Sequence, residues 1–241
     1  LVINAGNIDK DWAHLMNEAK NFDVKLTNVS DKYAAIAVQG PESKKILMTL
    51  SGGRQLTPEN VKNALNSLTM EGKPVRIAKT GYTGEPIGYE LYCNSEDARY
   101  FWDRLIELGA KPTALGARDT TRMEAALPLY GHEMGECEMG GEIQIYAVPL
   151  AKFAVSFDEA KGDFIGREPL RKQFEALKKI MNRDYSSIED LPYRIQPIYL
   201  EGKGVLRKGF PIYCKDAWAE GKQIGYVTSG TMIPYYKTEG Q

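Results

Sequence analysis

A glutamate inside a strand pattern is the first candidate for chemistry in this sequence. Glu90 lies in the alternating stretch 87–93, and glutamate is depleted in strands. Because side chains alternate between the two faces of a strand, Glu90 shares a face with Gly88 and Tyr92. A buried carboxylate there needs hydrogen-bond donors, since a desolvated charge without a partner is costly. The pattern is also compatible with a Glu90 that points to solvent.

A glycine-rich connection precedes this strand. The segment Thr80-Gly81-Tyr82-Thr83-Gly84-Glu85 separates the strand patterns 75–79 and 87–93. Glycine is favoured where the backbone takes a positive φ or approaches another group closely. No helix start with a Lys-Ser or Lys-Thr pair follows the glycines, which disfavours a phosphate-binding loop. The segment is either an ordinary hairpin turn or a wall of a binding site to which Tyr82 contributes a ring.

Two arginines share one face of a predicted helix. Arg118 and Arg122 are four residues apart within the helical pattern 115–127. Their guanidinium groups could present planar donors to a carboxylate or carbonyl ligand. They could equally form surface ion pairs with Asp119 or Glu124.

Composition excludes several classes of function. The 241 residues carry 31 basic and 32 acidic side chains, a net charge of −1, which gives no electrostatic footprint for nucleic acid. No apolar run approaches the roughly 18 residues of a membrane helix. Three cysteines and two histidines, all far apart in sequence, suggest neither a metal site nor a disulfide framework. We therefore predict no metal, no nucleic acid and no membrane contact.

The helices and strands that position these residues can be predicted from the spacing of apolar residues along the sequence. Apolar spacing, caps and breakers predict helices over 9–21, 43–50, 57–68, 95–108, 115–127 and 169–181. Alternating or β-branched runs predict strands over 1–5, 24–29, 34–38, 75–79, 87–93, 151–157, 196–200, 210–214 and 223–228. We predict an α+β fold with a mixed body over 1–181, a polar linker, and a β-rich domain over 193–241.

Several of these segments, in this order, resemble the glycine cleavage system T-protein (aminomethyltransferase) family. The matching segments are 1–7, 39–41, 80–85, 88–90, 115–119, 129–131, 161–166 and 227–230. The resemblance implies two interleaved α+β units of a folate-binding cloverleaf followed by part of a C-terminal β-barrel. It also implies a fragment that lacks both termini of the family's chain.

The resemblance further implies a reaction and its site. Members of the family transfer the methylene of the aminomethyl-lipoyl H-protein to tetrahydrofolate and release ammonia. Carried over by motif, Glu90 accepts from the pterin edge, Tyr82 forms a wall of the folate site, Arg118 donates to folate or anchors its neighbours, and Asn4 lies near the pterin. We expect Glu90 and Arg118 to face one cavity. The family's positioning aspartate has no counterpart here, so the catalytic residue is unknown and we expect this chain to be inactive alone.

Partner, location and alternatives follow from the same resemblance. The implied partner is the lipoylated H-protein, in the cytoplasm or, in a eukaryote, the mitochondrial matrix. Two alternatives remain open: a related folate-dependent demethylase, and a non-catalytic folate-binding or assembly protein of the same fold.

Overall fold

The computed structural model describes residues 1–59, 61, 63–217 and 219–232. Two compact units divide the chain, Leu1–Thr121 and Arg122–Gln241. This division differs from the domains predicted from the sequence, 1–181 and 193–241. Those domain boundaries stay a prediction.

The first unit is built on one antiparallel sheet with helices beside it. Its helices are α1 (Ile8–Glu18), α2 (Ser43–Leu50), α3 (Ala98–Glu107) and the start of α4 (Leu115–Glu124). Its strands are β1 (Tyr33–Gln39), β2 (Leu65–Met70), β3 (Lys73–Ala78) and β4 (Gly88–Asn94). The strand order β1-β4-β3-β2 places β4 in the interior of the sheet and β1 at an edge. Short 3₁₀ turns lie at Ala5–Asn7, Ala19–Asn21, Ser30–Lys32 and Ser95–Asp97.

One face of this sheet carries the hydrophobic core. Leu91 on β4 pairs with Ile36 on β1 and Ile77 on β3, and its side chain is fully buried. The helices α2 and α3 contribute to the same cluster, through Leu47 and Phe101 among others. Alternation along β4 buries every second residue here, because strand side chains point to opposite faces.

The other face of the sheet is open. Ala37 on β1 and Ala78 on β3 both pair with Glu90 on β4, so the three side chains share this face. Ala37 is exposed, and Ala78 and Glu90 are half-buried. The side chain of Glu90 is therefore only half-buried, and it lies between the methyl groups of Ala37 and Ala78.

The second unit has a helical core with short strand pairs. Its helices are the end of α4, α5 (Ala151–Ala154) and α6 (Arg167–Met181), and its strands are β5 (Gly135–Glu136), β6 (Glu142–Ile143), β7 (Pro211–Tyr213) and β8 (Gln223–Tyr226). Further 3₁₀ turns lie at Ile145–Ala147, Glu159–Lys161 and Ile188–Asp190. The core packs the buried Tyr146 against Phe174 of α6, with ring centroids 5.3 Å apart. None of the helices in the described ranges has both the length and the apolar character to cross a bilayer.

The α+β class predicted from the sequence is confirmed, as are most helices. The predicted helix over 57–68 is wrong, because 65–70 form β2. Glu71 and Gly72 both adopt positive φ (47° and 82°), the geometry of a tight two-residue hairpin turn. That turn pairs Leu68 with Val75 and fixes the stretch as a strand.

Four predicted strands are also wrong. Residues 1–4, 24–29 and 196–200 have no regular structure, since an extended run becomes a strand only when another strand satisfies its backbone groups. The stretch 151–157 begins with the short helix α5, in which two of four residues are alanine, the best helix former.

Candidate functional site

Glu90 is the centre of the candidate site. The Tyr92 hydroxyl, on the same face of β4, donates to Glu90 Oε2 over 2.7 Å. No lysine or arginine of the described ranges forms an ion pair with this carboxylate. The remaining lone pairs of Glu90 are thus available on the open face to a ligand that donates.

The Tyr92 hydroxyl stays protonated and acts as a hydrogen-bond donor. Burial of its side chain, reinforced by the hydrogen bond to Glu90 and by the charge of Glu90, raises the pKa of Tyr92 to about 12. The phenol therefore stays protonated throughout the neutral range, and it donates to the carboxylate rather than competing with it.

Gln39 connects the glycine-rich segment to the strand of Glu90. The Gln39 Nε2 donates to the Tyr89 carbonyl over 2.9 Å and to the Thr80 carbonyl over 3.3 Å. Gly81 and Gly88 leave room for this side chain, since a Cβ on them would lie 1.9 Å and 2.3 Å from Gln39 Oε1. Sequence reasoning missed Gln39, although its position directly before Gly40-Pro41 at a strand end was visible.

The other predicted site residues lie on different elements. Tyr82 is half-buried in the connection 79–87. Asn4 is exposed, and its carbonyl accepts from the Asn7 N–H over 2.9 Å. Arg118 is exposed on α4. Neither Arg118 nor Asn4 forms a hydrogen bond or ion pair with Glu90 among the described residues, and the convergence of Glu90 and Arg118 on one cavity stays a prediction.

Arg122 differs from Arg118 because its side chain is buried. Its Nη1 pairs with Glu133 Oε2 at 2.8 Å and donates to the Leu127 carbonyl over 3.1 Å. Its Nη2 donates to the Ser229 hydroxyl over 2.7 Å. Ser229 Oγ also lies 2.9 Å from Nδ1 of His132. Arg122 thus joins the segment 129–133 to the segment 227–230 inside the second unit.

Glu133 is ionised in this buried cluster. Burial by itself raises the pKa of Glu133, but hydrogen bonds from Ser229, Thr228 and the Leu129 N–H, with the charge of Arg122, outweigh burial and hold the pKa below its ordinary value.

This lowered pKa predicts an acid-sensitive second unit. Between the ordinary glutamate pKa of about 4.3 and the lower folded value, the unfolded chain binds a proton that the folded chain does not. The contribution of Glu133 to stability is therefore fully present above that range and is lost as the pH falls through the folded pKa. Urea unfolding followed from about pH 6 to pH 3 measures this loss. The same loss should persist in Glu138→Gln, an exposed control, and shrink in Glu133→Gln; equal profiles for all three proteins would contradict the prediction.

No group of three or more metal-ligating side chains (His, Cys, Asp, Glu) comes together within the described ranges. The three cysteines are buried free thiols. What the open face offers a ligand is a carboxylate acceptor between the methyl groups of two alanines.

Comparisons with known proteins match this chain over nearly its whole length. It is 39% identical over 241 residues to the aminomethyltransferase of Halalkalibacterium halodurans, covering 98% of this chain and 58% of that protein. It is 38% identical over 237 residues to the aminomethyltransferase of Staphylococcus carnosus, covering 97% and 57%. The chain thus spans a little over half the length of these curated relatives.

A solved structure supports the fold. The glycine cleavage system aminomethyltransferase T from Bartonella henselae aligns with a TM-score of 0.62 and 22% identity, over 95% of this chain and 55% of that one. The α+β fold is therefore one that this solved protein shares. The family model described as the GCVT N-terminal domain matches residues 1–147. The chain belongs to the GCVT family.

Proposed function

We propose that this chain forms part of an aminomethyltransferase that transfers the methylene of the aminomethyl-lipoyl H-protein to tetrahydrofolate. The relatives named aminomethyltransferase, at 36–39% identity over 97–98% of the chain, support this proposal. The observation that carries the site is the Glu90 carboxylate on the open face, between Ala37 and Ala78. The bacterial origin of these relatives favours the cytoplasm as the place of the reaction.

The residues around Glu90 fit a reduced pterin. The pterin edge presents an N–H and an adjacent NH₂, and a carboxylate accepts such donors side by side. Tyr92 occupies one lone pair of Oε2 and leaves the others. The alanines on either side leave room for a flat ring system. Glu90 therefore binds and orients the pterin in this proposal.

The other predicted residues complete the proposed site. The Tyr82 ring forms a wall against which pterin or the aminobenzoyl ring stacks. The exposed guanidinium of Arg118 donates to folate, and Asn4 lies near the pterin.

The group transfer conserves all atoms. The aminomethyl carbon exchanges its bonds to nitrogen and sulfur for bonds to N5 and N10 of folate, and the two protons lost from these nitrogens leave with ammonia and the lipoyl thiol. The resemblance assigns the positioning of folate to an aspartate without a counterpart in this sequence. We therefore propose that these 241 residues bind tetrahydrofolate without catalysing the transfer by themselves.

The test is tetrahydrofolate binding to the 241-residue chain, measured by anaerobic calorimetry. Glu90→Gln should weaken binding by about 2 kcal/mol, roughly 30-fold, because an amide replaces one charged acceptor with a donor that faces the donors of the pterin. The matched control is Glu42→Gln, which removes an exposed carboxylate beside Lys45 and should bind as the unmodified chain does.

Transfer is tested separately with aminomethyl-loaded H-protein, by following ammonia and methylene-tetrahydrofolate. The Halalkalibacterium halodurans relative serves as the comparison protein. Absence of tetrahydrofolate binding, or equal binding by Glu90→Gln, would contradict the proposed site. Turnover by the 241 residues alone would contradict the proposal that they only bind.

A further inference from the structure

We infer that Gln39 is a positioning residue for this site: its side chain fastens the segment of Tyr82 to the strand of Glu90. The inference rests on the proposed function and adds to it a residue that touches neither folate nor the reacting atoms. The supporting observation is the packing of the Gln39 side-chain amide against two backbone carbonyls and two glycines.

The amide nitrogen joins the start of the connection between β3 and β4 to the beginning of β4 itself. It donates to the carbonyl of Thr80, two residues before Tyr82, and to the carbonyl of Tyr89, one residue before Glu90. The backbone strengthens the same junction, because the Gly40 N–H donates to the Ile87 carbonyl over 3.0 Å. One side chain at the end of β1 therefore holds both segments that carry proposed folate contacts.

The orientation of the amide is determined by its surroundings. Both nearby carbonyls accept hydrogen bonds, so the NH₂ group of Gln39 faces them and Oε1 faces the other way. Oε1 is buried, and no group of the described residues donates a hydrogen bond to it; it lies 1.9 Å and 2.3 Å from the positions that Cβ atoms on Gly81 and Gly88 would take.

Residues 81 and 88 are glycine because a Cβ would not fit beside the Gln39 side chain, and not because the backbone there needs a conformation that favours glycine. Neither Gly81 nor Gly88 adopts a positive φ, whereas Gly84 in the same connection does, at 84°. An L residue could adopt the backbone conformation at 81 or 88, but its Cβ would collide with Gln39 Oε1. Gln39, Gly81 and Gly88 thus form one packing unit, which we call the Gln39 latch.

The Gln39 latch predicts that substitutions of Gln39 and Gly88 have non-additive effects on tetrahydrofolate binding. Gln39→Ala removes both hydrogen bonds and should weaken tetrahydrofolate binding roughly tenfold, because the segment that carries Tyr82 is no longer fastened to β4 at Thr80. Gly88→Ala should also weaken it, because the new methyl group displaces the amide. The double variant Gln39→Ala/Gly88→Ala should bind no more weakly than Gln39→Ala, since the shortened residue 39 makes room for the methyl group.

Two further variants separate positioning from general stability. Gln39→Glu keeps the length but turns a carboxylate towards two carbonyls, so it should not restore binding. Asn66→Ala is the matched control: Asn66 Nδ2 donates to the Leu56 carbonyl over 2.9 Å, a similar amide-to-backbone contact in the same unit. Asn66→Ala should lower the melting temperature and leave the tetrahydrofolate affinity unchanged.

The experiment measures tetrahydrofolate affinity and melting temperature for each variant of the 241-residue chain. Loss of affinity in Gln39→Ala, with non-additivity in the double variant, supports the inference. Unchanged affinity in Gln39→Ala, additive losses, or an equal loss in Asn66→Ala would overturn the latch alone. Absence of binding by the unmodified chain would overturn the proposed function and the latch together.

Discussion

Glu133→Ala is expected to destabilise the second unit by about 3–5 kcal/mol, the usual cost of breaking a buried ion pair on one side. Glu133 is 5% exposed and Arg122 is 2% exposed. Removal of the carboxylate breaks the 2.8 Å ion pair that Glu133 forms with the buried guanidinium of Arg122. It also removes the acceptor of the Leu129 N–H.

Urea unfolding combined with hydrogen exchange checks this expectation. The stability loss should appear as reduced protection of amides within 122–232. The control is Glu138→Ala, an exposed carboxylate 3.5 Å from Lys208, which should change the free energy of unfolding by no more than about 1 kcal/mol. If Glu133→Ala and Glu138→Ala unfold at the same urea concentration, the buried pair is not the structural link described here.

Phe101→Ala is expected to cost the first unit about 3–5 kcal/mol, since a truncated core phenylalanine leaves a cavity. Phe101 on α3 is fully buried in the cluster between helices and sheet. Its ring meets that of Tyr100 edge to face, with centroids 5.6 Å apart, and this contact is lost as well.

The neighbouring residue supplies the control. Trp102 follows directly on α3 and is 43% exposed, so Trp102→Ala should cost much less despite the larger deletion. Melting curves and urea titrations of both variants measure the difference. A larger loss for Trp102→Ala would mean that α3 packs through its other side.

Helix positions could be predicted from the sequence because their signal is local. The helices α2, α3 and α6 each carry apolar residues at helical spacing, and each lies where the sequence predicts it. In β2 the local signal failed: Leu65 and Leu68 are spaced as on a helix, but the tight turn at Glu71 and Gly72 imposes pairing with β3.

The candidate site was predictable only in part. The shared face of Gly88, Glu90 and Tyr92 follows from alternation along one strand, and the hydrogen bond between Tyr92 and Glu90 confirms that these two share it. The role of Gln39 depends on the pairing of β1 with β4 and on a connection that folds back over it. Neither is encoded at a fixed sequence spacing. The burial of Arg122, which Arg118 does not share, likewise involves Glu133 and Ser229, and these lie 11 and 107 residues further along the chain.

The alignment of β1 along β4 has a consequence for evolution and engineering of this surface. A slip of one residue would turn Val38 or Ile36 towards Glu90 in place of Ala37, since it reverses which side chains face outward. A branched side chain would then crowd the acid, and Gln39 would leave its two glycines. Insertions or deletions in the chain that precedes β1 are thus tolerable only if they preserve this alignment.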